Sequence, residues 1–531
     1  MKLVESMTIK ELYLGDIEGK NEFNLDNEKR VEETYLNIKN IDSEFINNNK
    51  YYIYGHKGTG KTSLLRYVEY KVKKKKNQTI TILFKEIKQD TLIYSTFKNL
   101  LAQVKDKNSA AIAFWQWFLL SITIEEIFPN YKDKTDLIFN TNNGIFRILS
   151  GFLVSIVKGL SVKYGNADIN GELSFSDLTL NETSDIFAAG QKIRKLENYI
   201  RNNLNTKLYV LIDELETSTL STSYEEDAIL IKNLILTVEN LNNLSTNLTL
   251  ITAVRTEVLN NIFTTGDEIN KLLESKGEEI KWTYDNYGLE HPLIKMIIKK
   301  IRYSMKEYSQ VSSSKIEKAT NKEIFERWFP NKLLKDINGN NAKFLLHNTW
   351  IKPRDLVRFL QIMQDHAVTE KYFTRSHYDK TVKEYSTKAW TELKEELISI
   401  ISKDKINILE KVFANYFKTF SYPELIARFN EKSNLKLEDV ENIINILYEI
   451  GFIGNNYWNE RKKRFVYRYS YRGEKTLDDN ERIEIHRGLW MNFSLKDNKA
   501  SYVNVNGSND YSDTTDSMND MKEKLRELGI K

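Results

Sequence analysis

The chain is 531 residues long, more than a single hydrophobic core fills, so two to four domains are expected. Hydrophobic residues at 41% and charged residues at 29% exclude a disordered chain, and a net charge of +4 is too weak a field to drive nucleic-acid binding without a local basic patch. Cysteine is absent and the six histidines (His56, His291, His347, His366, His377 and His486) lack ligand spacing, which excludes disulfides, thiolate chemistry and the usual zinc ribbons.

The first 19 residues carry acidic side chains where a signal peptide needs a basic start and an apolar core. The longest apolar runs, such as GFLVSIVKGL at 151–160, fall short of the roughly 20 residues that cross a bilayer, so a cytoplasmic protein with no membrane contact is expected. Residues 1–50 read as a helical lead-in. An α/β pattern follows at 51–285: strand 51–54, turn 55–60, helix 61–75, strand 79–87, then helices to about 130. Lys73 to Lys76 complement the dipole at the end of the first helix. Polar breaks such as NTNNGIF and YGNADING mark an insertion, placed at about 88–205. Strand 206–212, helix 225–244 and strand 247–253 then resume, and strands separated by helices predict a mainly parallel sheet with helices on both faces. Residues 286–400 read as a helical lid. Residues 401–496 show three helices, at 405–417, 422–431 and 437–450, and then an alternating hairpin, the order of a winged helix. Residues 497–531 read as a mobile tail with a short terminal helix.

The chemistry concentrates in Gly55-His56-Lys57-Gly58-Thr59-Gly60-Lys61-Thr62, a complete G-x-x-x-x-G-K-[ST] between a strand and a helix. Such a turn folds backbone N–H groups into a cup for phosphate, continued by Ser63 in the first helical turn. Lys61 reaches the β- and γ-phosphates, and the Thr62 hydroxyl coordinates magnesium. The strand LYVLI ends in Asp213-Glu214, at the end of the sheet where ligands bind. Asp213 is expected to hold magnesium, directly or through a water, and Glu214 to polarise the attacking water, with Glu216 as the fallback base. The next strand ends in Thr252, Arg255 and Thr256. Arg255 is read either as a sensor of the γ-phosphate or as an ion pair closing the strand. In TWIKPRDLVRFL, Pro353 suits the first helical position, and Leu356, Phe359, Leu360 and Met363 form the buried side. Arg354 and Arg358 share the other face, and Arg354 is read either as a lid arginine reaching the phosphates or as a surface ion pair.

This order of P-loop, Asp-Glu strand, Arg-ending strand, Pro-Arg-Asp lid and winged helix resembles the AAA+/STAND class of P-loop ATPases. Within it, LYLGDIEGKNE, GHKGTGKT and IEIHRGLW at 483–490 look most like the bacterial group with an N-terminal ATPase and a C-terminal winged helix, whose members are often described as DNA-repair or phage-defence ATPases. The resemblance implies ATP and Mg2+ as ligands, a homo-oligomer whose sites are completed by a neighbour's arginine, and a role in antiviral defence. The stretch from Lys61 to Asp213 is longer than a compact core of that class needs. No LSGGQ-like signature occurs, which argues against an ABC-type ATPase. Three functions are open at this point: a nucleotide-controlled switch, a DNA-binding initiator or repair ATPase, and a slow-turnover regulatory partner of a separate effector protein. For DNA, Arg461, Lys462, Lys463, Arg464 and Arg468 offer phosphate contacts, and Phe465, Tyr467, Tyr469 and Tyr471 offer one aromatic face for stacking on bases, with Arg468 and Arg472 on the other; the alternative is that the aromatics pack on the three helices while the basic residues are solvated. Glu438, Asp439 and Glu441 put the wrong charge on the presumed recognition helix for reading base edges.

Overall fold

The computed structural model describes residues 7–23, 27–83, 106–128, 182–213, 224–263, 267–284, 287–308, 311–330, 341–367, 369–398, 400–459 and 464–497. Glu214, Glu216, Arg461 to Lys463, most of the expected insertion and almost all of the expected tail lie outside these residues. The chain divides into two compact units, Gly15–Trp282 and a second made of the residues up to Leu14 together with those from Thr283 onward.

In the first unit, α1 (Gly19–Glu22), α2 (Glu28–Thr34) and α3 (Ile41–Ile46) precede strand β1 (Tyr52–Gly55) and helix α4 (Lys61–Lys74). Then come β2 (Gln78–Leu83), α5 (Lys107–Ile127), α6 (Glu182–Asn203), β3 (Leu208–Asp213), α7 (Tyr224–Asn242), β4 (Leu248–Arg255), α8 (Thr256–Phe263), α9 (Asp267–Lys276) and β5 (Gly277–Glu279). The five strands run parallel in the order β2-β3-β4-β1-β5. A parallel sheet covered on both faces selects continuous apolar strands, and every residue of β3 is buried accordingly. Alternate residues face opposite ways. Leu208, Val210 and Ile212 join a core with Trp117, Phe118, Leu196, Leu234 and Val238, whereas the Tyr209 hydroxyl between them donates to the Ile46 carbonyl of α3 at 2.8 Å. Helices α5 and α6, which fall in the expected insertion, are therefore part of the main core; the Trp115 indole donates to the Leu230 carbonyl of α7 at 2.9 Å.

The second unit begins with a hook. The Ile9 amide donates to the Glu370 carbonyl, and the Gln364 amide group donates to the carbonyls of Ile9 and Leu12, all at 2.8 Å. The helices of this unit are α10 (Pro292–Tyr308), α11 (Ser313–Lys318), α12 (Asn321–Trp328), α13 (Asn341–His347), α14 (Pro353–Asp365) and α15 (Arg375–Ile398). Three more helices follow, α16 (Lys403–Phe413), α17 (Tyr422–Lys432) and α18 (Leu437–Glu449). An antiparallel sheet of β6 (Thr419–Phe420), β7 (Ile453–Asn459), β8 (Arg464–Arg468) and β9 (Arg482–Ile485) has the order β6-β9-β7-β8. Among the described residues no helix is long and apolar enough to cross a membrane.

The aromatic face expected of the hairpin is covered by side chains from far along the chain. Tyr469 is buried beside His486, with ring centroids 5.5 Å apart, and Tyr467 meets the His347 ring of α13 at 5.4 Å. Arg472 is expected on the opposite face, yet its guanidinium lies over the rings of Tyr287, Tyr469 and Tyr471 at 4.9, 5.4 and 5.7 Å. The residues after Arg468 leave the strand for a 3-10 turn, Ser470–Arg472, so strict alternation ends there. Of the two readings of these aromatics, Tyr467, Tyr469 and Tyr471 follow packing within the unit. Three buried imidazoles share this packing. His486 stacks on Trp350 with centroids 3.8 Å apart, and burial with the neighbouring Arg472 holds His347 and His486 well below the usual histidine range.

For His291, burial and then the charge of Arg472 lower the pKa to about 4. The unfolded chain therefore takes up a proton first as pH falls, so the stability this neutral group contributes is complete above about pH 6.5 and is lost between there and about 4. Urea unfolding at pH 7 and pH 5 should show a loss on the order of 2 kcal/mol from His291 alone. His291→Phe should shrink the difference between the two pH values by that amount.

Candidate nucleotide site

Strand β1 ends in Gly55, and the chain then turns through Gly58 at φ 83° and Gly60 at φ 94°, left-handed conformations in which a side chain would be strained. Gly60 is the residue before the first turn of α4; no side chain caps that end, and no acidic residue stands in its first turn. The helix thus offers its N-terminal amides and the positive end of its dipole to an anion. Lys61, 8% exposed, folds back so that Nζ donates to the carbonyls of Gly55 at 2.9 Å and His56 at 3.2 Å. The Thr59 hydroxyl donates to the His56 carbonyl at 2.8 Å. Thr62 and Ser63 are half-buried. A parallel sheet whose first strand leads through this turn into a helix, with helices on both faces, is the fold of a P-loop NTPase.

Across the carboxyl edge of the sheet, β4 lies between β1 and β3. Gly55 is in register with Arg255, and Ile212 with Thr252, so Asp213 and Arg255 end strands at the same edge as the phosphate loop. Adjacent strands are about 4.8 Å apart, which puts the ends of β1 and β3 about 10 Å from each other. Asp213 is buried at 4% exposure. The hydroxyls of Thr252 and Thr256 are sealed from solvent with no hydrogen-bond partner among the described residues. Buried hydroxyls are rarely left so; Thr252 lies within the sheet opposite Tyr52, whereas Thr256 directly follows Arg255, the residue in register with Gly55, and its hydroxyl matches a site that takes a polar ligand. The donors also suit magnesium, because Thr62 and Asp213 supply hard oxygens. Glu214, the expected base, lies outside the described residues.

The residues expected on other elements are placed separately. Pro353 opens α14 at its first turn, and Leu356, Phe359, Leu360 and Met363 are buried. Arg354 meets Glu392 of α15 at 3.4 Å, and Arg358 meets the other oxygen of the same carboxylate, so in this structure Arg354 takes part in an ion pair inside the second unit. Arg468, at 39% side-chain exposure, lies over Tyr457 and faces Glu474 at 3.7 Å. Arg464 pairs in the hairpin with Asn459.

Three residues at the phosphate loop escaped the sequence reading. The Trp282 indole donates to the Thr59 carbonyl at 2.8 Å, buried. Glu257 of α8 contacts His56 at 3.0 Å and the Lys57 amide at 3.3 Å. Gly19 of α1 leaves so little room that a Cβ there would lie 2.6 Å from Ser63 Oγ. No periodicity marks these positions; a tryptophan three residues after the end of an edge strand is the one faint signal.

Comparison with known proteins finds one family model that matches a stretch of the second unit. The model described as the FunZ-associated C-terminal helical domain matches residues 291–394, the span from α10 into α15. No curated protein matches the chain. Among solved structures, the Aeropyrum pernix ORC2 protein in its ADPNP-ADP complexes is 12% identical, covering 87% of this chain and 92% of its own, with a TM-score of 0.37. The ADP form of the same protein is 11% identical, covers 89% and 94%, and gives a TM-score of 0.31. At this identity and TM-score, the reading of the site rests on its own geometry.

The Trp282 bond makes an expectation that needs no ligand. Trp282→Phe removes the donor and leaves a buried Thr59 carbonyl without it, which should cost about 1–2 kcal/mol of the first unit's stability in urea unfolding. A change within error would show the bond to be dispensable.

Proposed function

We propose that the chain is a magnesium-dependent ATPase that works as a nucleotide-controlled switch in DNA transactions, with phage defence as its biological setting. The observation that carries this is the uncapped glycine turn at the start of α4, with Lys61 held over it and Asp213 ending a strand at the same edge. In this reading the amides of Gly58 to Ser63 bind phosphate oxygens, and Lys61 leaves the carbonyls of Gly55 and His56 to follow the β- and γ-phosphates. Thr62 and Asp213 hold magnesium, which when bound neutralises charge on the phosphate chain. Glu214 accepts the proton of the attacking water. Arg255, in register with the first loop glycine, reads the γ-phosphate.

Arg354 serves as a lid arginine only by leaving Glu392, so its part is conditional on a rearrangement within the second unit. The switch acts through assembly of copies of this chain or through a separate effector. A grip on duplex DNA through Arg461 to Arg464 and Arg468 is a further element of the proposal, limited to the phosphate backbone because Tyr467 and Tyr469 are packed against His347 and His486.

Steady-state phosphate release tests the reading, measured for wild type, Lys61→Ala and Glu214→Gln across protein concentration, with and without duplex DNA. Both variants should lose at least about a hundredfold in turnover, the scale on which a single charge-stabilising or proton-transferring group acts. A rate per subunit that rises with concentration indicates shared sites. Unchanged turnover in Lys61→Ala would contradict the assignment.

A further inference from the structure

One carboxylate outside the phosphate loop makes two contacts with it. Helix α8 begins directly after Arg255, and Glu257 lies in its first turn. Glu257 Oε1 lies 3.0 Å from His56 Nδ1 and 3.3 Å from the Lys57 amide nitrogen. A carboxylate only accepts, so His56 donates through Nδ1–H and Lys57 through its backbone N–H. Two consecutive loop residues are thus fixed by one side chain, without use of the amides from Gly58 onward. The same α8 continues the strand whose last residue, Arg255, is in register with Gly55. Backbone pairing joins β1 to β4 up to that point, and the Glu257 contacts extend the connection beyond it into the loop.

We propose that Glu257 is a positioning residue for the phosphate loop: it holds the His56–Lys57 segment from outside so that the following amides are already arranged for a nucleoside triphosphate when it arrives. This rests on the nucleotide-binding reading above. The physical basis is pre-organisation. A glycine-rich turn has many conformations to lose on binding, and a fixed anchor at its variable residues reduces that loss before the ligand is present. The anchor also ties the loop to Arg255, so phosphate contacts on the loop and at the end of β4 keep a constant spacing.

The test is calorimetric titration of the full chain with ATP and magnesium, in wild type, Lys61→Ala, Glu257→Ala, Glu257→Gln, His56→Ala and the His56→Ala/Glu257→Ala pair, with the melting temperature of each recorded. Loss of two hydrogen bonds to a half-exposed carboxylate should weaken ATP about tenfold in Glu257→Ala. Glu257→Gln, whose amide oxygen still accepts from both donors, should recover affinity to within about threefold of wild type. If Glu257 acts through His56, the double variant loses less than the product of the single losses. A carboxylate that merely favours the helix dipole would give losses that multiply. Wild-type affinity in Glu257→Ala, multiplying losses, or failure of Gln to rescue would each overturn the proposal. Should Glu257→Ala not fold, Glu257→Asp carries the same test, with an affinity between those of Gln and wild type overturning it and one weaker than Gln supporting it. Wild type that fails to bind ATP refutes the nucleotide reading and this inference together; binding lost in Lys61→Ala but unaltered in Glu257→Ala refutes this inference alone.

Discussion

Backbone N–H groups at the start of a helix have no partners within the helix, and at α4 the N-cap residue, Gly60, has no side chain to supply one. The rest of the first unit is arranged around that end. β1 is held between β4 and β5, which fixes where the turn begins, and the packing of Tyr35 on Tyr67 at 3.9 Å secures the lead-in against α4. Gly19 then brings α1 against Ser63. From beyond the turn, the Trp282 indole and the Glu257 carboxylate hold its middle. A loop with two left-handed glycines would otherwise sample many shapes, and these contacts come from four different parts of the chain.

How far this was legible in the sequence depended on the range of the interaction. The P-loop reads plainly because its turn chemistry is local: glycines at fixed offsets, a β-forming run before and an amphipathic helix after. Asp213 reads for the same reason, as the end of a run of apolar residues buried on both faces. Glu257 did not, because its meaning comes from residues 200 positions away, brought near by the pairing of β1 with β4. The hairpin shows the same limit. Alternation described the strand as far as Arg468 and failed at the 3-10 turn beyond it, and a covered aromatic face and an exposed one have the same alternation. The cover, from Tyr287, His347, Trp350 and His486, is supplied by distant segments. Arg354 was open between two readings for a similar cause, since Glu392 lies 38 residues on.

The two units are joined by the chain twice, at Leu14–Gly15 and at Trp282–Thr283. Both crossings lie close in sequence to residues that touch the phosphate loop or the first turn of its helix: Gly19 on one side and Trp282 on the other.

The central claim is that the amides at the start of α4 receive phosphate. Hydrogen exchange of the full chain, followed residue by residue with and without ATP and magnesium, tests it most directly. The account predicts that the amides of Gly58 to Ser63 slow markedly when nucleotide is added to wild type and do not slow in Lys61→Ala. Exchange at those amides that is the same with and without nucleotide, or that slows equally in Lys61→Ala, would contradict it.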